Sequence, residues 1–338
     1  MNEPPFSRKE DIEAVSNYFS IGSVSNAHKL ENGLVNESYL LHTNRGNFIA
    51  QALNGRLWDE RVIEDYCSVQ QYLRTNDLFV PVLLATSQGK YGYNLRGTLW
   101  RVFEYVPHDT LVTITSSHAA EAGAMLGRFH AIMACSTFTP SFTLPNFHDT
   151  PVIRERLLAT AQLPHYKEKA TKVKKELVFL EKTLEHHYLP EYTQKIVIHG
   201  DPKLNNFLFK DGKASTLLDL DTMMVASPLL DIGDALRSWC RRKPATAEFL
   251  PEIFDAAFRG YCSTAPFQYT LQGVKSATGL ITLELAARYL TEYFKESYFS
   301  HNASKYATPA EQNITRCRRY INYYHNFINY AAPYERDD

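Results

Sequence analysis

The stretch HGDPKLNNFLF occupies residues 199–209, directly after the apolar KIVI and ahead of KDGKASTLLDLD. A histidine, an aspartate and two asparagines fall within eight residues, and two more aspartates close the next apolar run. KIVIH, FLFK and STLLDLD read as short strands separated by polar turns. Asp201 follows the first strand, Asn206 comes five residues later, and Asp219 ends the STLLD run beyond the KDGK turn. A hairpin-like return across that turn brings Asp219 toward Asn206. One carboxylate and one amide oxygen form a hard-oxygen pair that suits Mg²⁺, which takes few protein oxygens and completes its shell with substrate phosphates. Asp201 is then free to accept the proton of an attacking hydroxyl. Phosphoryl transfer needs these parts: ligands for the ion that holds the phosphates, and a carboxylate that orients the nucleophile. Asp, Asn and Gly also favour turns for their own reasons, so each residue alone fits a capping role. The order of all three along the chain favours the chemical reading.

Working outward, the 338 residues suggest two domains or one large bilobal unit, with ample apolar material at 44%. A formal net charge of −1 argues against non-specific nucleic-acid binding. The cysteines Cys67, Cys135, Cys240, Cys262 and Cys317 stand singly and odd in number, which fits reduced thiols rather than a disulfide framework. The polar start MNEPPFSRKEDIEAV carries no apolar signal region, and no run is long enough to span a bilayer. A cytoplasmic location with no membrane partner is the expectation. The sequons at Asn36, Asn302 and Asn313 are then accidental.

Residues 12–19 read as a short helix. LVNESYLLHT and FIAQAL read as a strand hairpin across TNRGN, and 59–74 as a helix. VPVLLAT and TLWRVFEYV add two apolar, strand-like runs around SQGKYGYN. From Ser116 the periodicity becomes helical, 166–187 reads as one long charged amphipathic helix, and helices dominate from Leu229 to Ala331. The expected fold class is α+β: a bilobal chain with a small β-rich lobe over 1–106 and a larger, mainly helical lobe over 107–338.

HGDPKLNNFLF followed by LLDLD resembles the aminoglycoside phosphotransferase and choline kinase group of the protein-kinase-like fold, whose pattern is H-G/N-D-x-x-x-x-N and then I-D-x-x-D. FHDTP (147–151), DLDTMM (219–224), DIGDALR (231–237) and ELAARYLTEYFKESYF (284–299) are similar to the N-acetylhexosamine 1-kinase branch in particular. The resemblance runs from about Asn32 to about Arg319. It implies Asp201 as catalytic base, Asn206 and Asp219 as Mg²⁺ ligands, His199 as support for the catalytic loop, and Asp221 as an auxiliary acid. It also implies ATP as donor. NGLVNESYLL resembles the nucleotide loop, with Gly33 and Asn36, and WRVFEYV resembles the hinge, whose backbone at Glu104 and Val106 meets adenine. Gln51 stands where protein kinases carry a phosphate-gripping lysine, which leaves Glu64 without its usual ion-pair partner. The loop has one glycine in place of three. Phosphate grip then rests on Mg²⁺ and backbone N–H groups.

The acceptor is a small molecule. Over 228–260, acids and bases balance, which disfavours a polycation. Tyr289, Tyr293, Phe294, Tyr298 and Phe299 offer a cage for a quaternary ammonium, although at helical spacing they suit a core equally well. In the segments that match the sugar-kinase branch, Asp149, Lys203, Asp221, Glu284, Arg288 and Tyr298 are candidates for holding sugar hydroxyls. Each has a local alternative: a cap for Asp149, an i,i+4 pair for Glu284 with Arg288. His148 reads as structural. The favoured reading is a kinase acting on a hexosamine or related sugar at C1, where the anomeric hydroxyl is relatively acidic. An aminoglycoside, choline or amino-alcohol kinase, and a non-catalytic kinase-like binding module, are the alternatives.

Overall fold

The computed structural model describes residues 8–30, 36–55, 57–111, 113–190, 194–242 and 246–330. Gly33 lies outside them. The N-terminal part is a five-stranded antiparallel sheet in the order β1-β2-β3-β5-β4. Helix α1 (Lys9–Tyr18) precedes β1 (Val24–Leu30), β2 (Glu37–Thr43) and β3 (Gly46–Ala52). Helix α2 (Arg61–Thr75) then leads to β4 (Tyr93–Leu95) and β5 (Thr98–Glu104). Alternation sorts the side chains by face. Tyr39, Leu41, Ala50, Ala52, Trp100 and Val102 form one buried face beneath Ile12 and Val15 of α1. On the other face, Ser38, Gln51 and Arg101 lie in register across three strands. Strand β1 eludes a periodicity reading because its VSNAHKL sequence is almost wholly exposed and carries no apolar alternation. The run 80–86 forms only an isolated bridge, Leu83 to Phe103, instead of a strand. Pro81 has no N–H to give a ladder there.

The C-terminal part is mainly helical. Helix α3 (Ser116–Ala134) is followed by α4 (Thr150–Ala161), α5 (Lys167–Lys172) and α6 (Lys174–Thr183). The expected long helix over 166–187 is thus broken. At Val173 the backbone leaves helical geometry (φ −121°), and the side chain is fully buried. Val173 and Leu180, two helical turns apart in sequence, are both buried in the core.

Two short paired strands and a hairpin follow. β6 (Ile196–Ile198) pairs with β9 (Met224–Ala226), and between them β7 (Phe207–Lys210) pairs with β8 (Lys213–Leu217). Helices α7 (Pro228–Trp239), α8 (Pro251–Cys262), α9 (Leu271–Lys295) and α10 (Pro309–Ile328) complete the chain. Ser227, Thr270 and Thr308 each cap a helix with a side-chain oxygen. The long α9 is buried along most of its length. It touches α7 closely at Gly233, where a Cβ would come within 2.6 Å of the Ala277 carbonyl oxygen. Among the described residues, no helix is long and apolar enough to cross a membrane.

Candidate active site

The loop after β6 carries the first group of candidate residues. It turns at Gly200, whose φ is +86° and where a Cβ would lie 2.3 Å from the Thr222 carbonyl oxygen. Only glycine meets both demands. Asp231, in the first turn of α7 and wholly buried, clamps the turn. Its Oδ2 accepts the His199 N–H at 2.7 Å and its Oδ1 the Gly200 N–H at 2.8 Å. His130 of α3 adds an Nε2–H bond at 2.9 Å. Burial alone would raise the Asp231 pKa; the bond and charge of His130 outweigh it and hold the carboxyl below the ordinary range. Asp231 opens the DIGDALR segment, but its grip on the loop backbone, and the bond it receives from His130 on a distant helix, appear only in the fold.

His199 itself is buried. Its Nε2–H donates to the Leu218 carbonyl at 2.8 Å, and its Nδ1 accepts the Asp201 N–H at 3.3 Å. It therefore ties the first candidate carboxylate to the residue before the second. The β7–β8 hairpin makes the expected return. Phe207 pairs with Leu217, and the Leu218 N–H donates to the Asn206 carbonyl at 2.8 Å. The Thr222 hydroxyl donates to the His199 carbonyl at 2.9 Å and fastens the loop from the other side. Strand β8 stops at Leu217, two residues earlier than the STLLD run suggests, and Asp219 lies beyond it in the left-handed region (φ +62°). Aspartate tolerates that conformation better than most residues, and here it turns the side chain out of the strand.

Asp201, Asn206 and Asp219 come together around Lys203. Lys203 Nζ forms an ion pair with Asp201 Oδ2 and lies 3.8 Å from Asp219 Oδ2. Burial opposes the lysine's charge, but the two carboxylates outweigh it and raise its pKa. Asn206 Nδ2 donates to the Asp201 carbonyl at 2.8 Å, which fixes the amide plane. Burial, with Asp234 and Asp219 nearby, raises the Asp201 pKa against the opposing pull of Lys203. Trp239 Nε1–H braces the same loop through the Pro202 carbonyl at 3.0 Å.

The sheet contributes a cation from an unexpected place. Gln51 of β3 is paired across the sheet with Arg101 of β5. Arg101 donates to Gln51 Oε1 at 2.8 and 3.0 Å and grips both oxygens of Asp221 at 2.7 Å. Burial works against the guanidinium charge; the Asp221 carboxylate outweighs it and raises the Arg101 pKa. Gln51 Nε2 in turn donates to Ser38 at 3.0 Å. Asn36 reaches Asp221 Oδ2 at 3.4 Å and accepts the Asn54 N–H at 3.1 Å. Asp221, 3% exposed, is thus bonded to the sheet through both of its oxygens. The signal in sequence was an arginine inside the apolar run TLWRVFEYV; only the strand register shows what it faces.

Glu284 is likewise bonded within the protein. One oxygen accepts from His148 Nδ1 at 3.0 Å and the other from the Thr150 hydroxyl at 2.7 Å, and the side chain is buried. These bonds replace the i,i+4 pair with Arg288. His148 Nε2 lies 2.7 Å from the Gly200 carbonyl. Both ring nitrogens face acceptors, so the ring is an imidazolium. Burial opposes that charge, but Glu284 outweighs it and lifts the pKa to about 9. Asp149 caps α4 by accepting the Val152 N–H at 3.3 Å, its local alternative. Arg288 lies over the rings of Phe147 and Tyr298, 5.7 Å from each centroid. Glu104 is exposed at the end of β5, and the Val106 carbonyl lies 2.9 Å from His108 Nδ1.

A family model described as "Phosphotransferase enzyme family" matches residues 26–267. The chain belongs to that family. This phosphotransferase is a small-molecule kinase. It is 24% identical over 234 residues to a homoserine kinase of Xanthobacter autotrophicus, covering 68% of this chain and 69% of the relative. A homoserine kinase of Gluconobacter oxydans is 23% identical over 264 residues, covering 76% and 79%. Among solved structures, an amicoumacin kinase in complex with AMP-PNP, Ca²⁺ and Ami superposes with a TM-score of 0.68 at 17% identity, covering 94% and 93%. A microcompartment-associated aminopropanol kinase gives 0.63 at 17% identity, covering 92% and 95%. These likenesses bear out the bilobal α+β kinase-like fold of the phosphotransferase.

The donor set of this phosphotransferase fits a hard divalent ion. No group of three or more His, Cys, Asp or Glu side chains among the described residues could hold a metal. The side chains of Asp219 and Asn206 carry hard oxygens of the kind that an ion shared with phosphates takes.

Proposed function

We propose that this phosphotransferase moves the γ-phosphoryl group of ATP to a hydroxyl of a sugar, with an (N-acetyl)hexosamine C1 hydroxyl as the working acceptor. The observation that carries the transfer chemistry is the meeting of Asp201 and Asp219 around Lys203. Asp201 accepts the proton of the acceptor hydroxyl as that oxygen bonds to phosphorus. The bond from phosphorus to the β-phosphate oxygen breaks, and ADP leaves. Lys203 places a fixed positive charge between the two carboxylates, where negative charge on the transferring group needs compensation. Asn206 and Asp219 would hold Mg²⁺, which when bound neutralises phosphate charge. His199 and Asp231 keep the loop backbone in register. The nucleotide would lie between residues 1–106 and 107–338, against the backbone at Glu104 and Val106, with Gly33 in the nucleotide loop.

The sugar reading is supported by the FHDTP and DLDTMM segments and by the ring faces of Phe147 and Tyr298 beside Arg288. A second reading, an amino-alcohol or homoserine acceptor, is supported by the relatives' names. A binding module without catalysis would have no use for a base beside two metal-ligand side chains. ADP release measured across hexosamines, amino alcohols and homoserine separates these readings. The expected result is turnover that falls about 10²–10⁴-fold in Asp201→Asn, with folding retained. Turnover unchanged in that variant would remove Asp201 from the role of base.

A further inference from the structure

A cavity of about 570 Å³ opens next to the catalytic loop, walled by Trp58, Phe142, Phe147, Arg156, Arg288 and Lys295. Its link to the loop is short. Phe147 precedes His148, which bonds the Gly200 carbonyl, and Arg288 lies one helical turn beyond Glu284. The cavity is several times larger than a four-carbon amino acid needs.

Its charges are unequal. Two acids also line it, Asp59 and Glu292. Asp59 is held by the Arg61 guanidinium at 2.6 Å. Glu292 Oε2 accepts the Ser297 and Tyr298 N–H groups at 2.7 and 2.8 Å. Arg156, Arg288 and Lys295 have no ion-pair partner among the described residues. Arg288 is the distinctive one. It is half-buried and flanked by Phe147 and Tyr298, and it makes no hydrogen bond to a described residue, although its charge also acts on the nearby Glu284. A guanidinium held between two rings keeps its planar fork directed and only weakly hydrated, which suits a bidentate oxyanion.

We infer that the acceptor carries an oxyanion, a carboxylate or a phosphate, which Arg288 binds in this cavity while the acceptor's hydroxyl faces Asp201. This rests on the kinase reading alone; it departs from the neutral hexosamine taken as working acceptor and narrows the class to acidic sugars and related hydroxy acids. Matched acceptors test it: glucuronate and glucose 6-phosphate against glucose, N-acetylgalactosaminuronate against N-acetylgalactosamine, and homoserine against 3-aminopropanol. The expected result is kcat/KM at least about tenfold higher for an acidic member than for its neutral match. Whether carboxylates or phosphates lead identifies the oxyanion. The acid-to-neutral ratio should collapse toward one in Arg288→Met and be only partly kept in Arg288→Lys. A tryptophan-fluorescence change on adding glucuronate, at constant ionic strength, that is lost in Trp58→Phe reads binding in the cavity without turnover, since the chain has two other tryptophans, Trp100 and Trp239. Neutral acceptors matching or exceeding their acidic partners would overturn the inference and leave the kinase reading intact. Absence of turnover on every acceptor would remove both.

Discussion

Arg101 and Asp221 form a buried ion pair between the sheet and the segment after β8. The side chains are almost wholly enclosed, with both carboxylate oxygens on the guanidinium. Removing one partner leaves a buried charge without compensation, which typically costs about 3–5 kcal/mol. Arg101→Met should therefore lower the urea unfolding free energy by about that amount, and Arg101→Met with Asp221→Leu should recover most of the loss. A single variant as stable as the parent would show that water reaches the pair. In the sequence, Gln51 was legible as an anomaly and Arg101 as a charge in an apolar strand. Their connection was not, because it depends on which residues two non-consecutive strands set opposite each other.

At the scale of elements, the loop after β6 is gripped by three helices. Asp231 of α7 and His130 of α3 hold it from one side, and His148, anchored on Glu284 of α9, from the other. His148 faces Glu284, Thr150 through that carboxylate, and the Gly200 carbonyl, with Asp234 adding negative charge at longer range. Its folded pKa of about 9 exceeds the ordinary 6.5. The stability it contributes is therefore fully present below pH 6.5 and is lost as pH rises through about 9. Thermal midpoints should fall between those limits, with the slope absent in His148→Gln. The same slope in the variant would assign it to other groups. FHDTP was legible as a motif, yet the partner of its histidine lies on a helix more than a hundred residues away.

For the whole molecule, the placing of the site's carboxylates rests on protein hydrogen bonds. Asp201 and Asp219 lie on a loop and beyond a hairpin whose backbone bonds are made within the chain. A chelator should thus abolish phosphoryl transfer while far-UV circular dichroism stays unchanged, and added Mg²⁺ should restore turnover. Unfolding on chelation would mean that the ion is structural. The cavity around Arg288 belongs to this scale as well, since its wall draws on segments spread from Gly55 to Phe299.

The sequence by itself determined the chemistry-bearing order of His199, Asp201, Asn206 and Asp219, the division into a β-rich and a helical part, and the membership that follows from them. Those features are local: short runs, turn residues and fixed offsets along one strand–loop–hairpin unit. Tertiary structure alone decided that Arg101 meets Asp221, that Glu284 serves His148, and that Val173 breaks a helix. Each of these depends on burial and on contacts between distant segments, where an ion pair or a packed side chain is favourable only because another part of the chain excludes water from it.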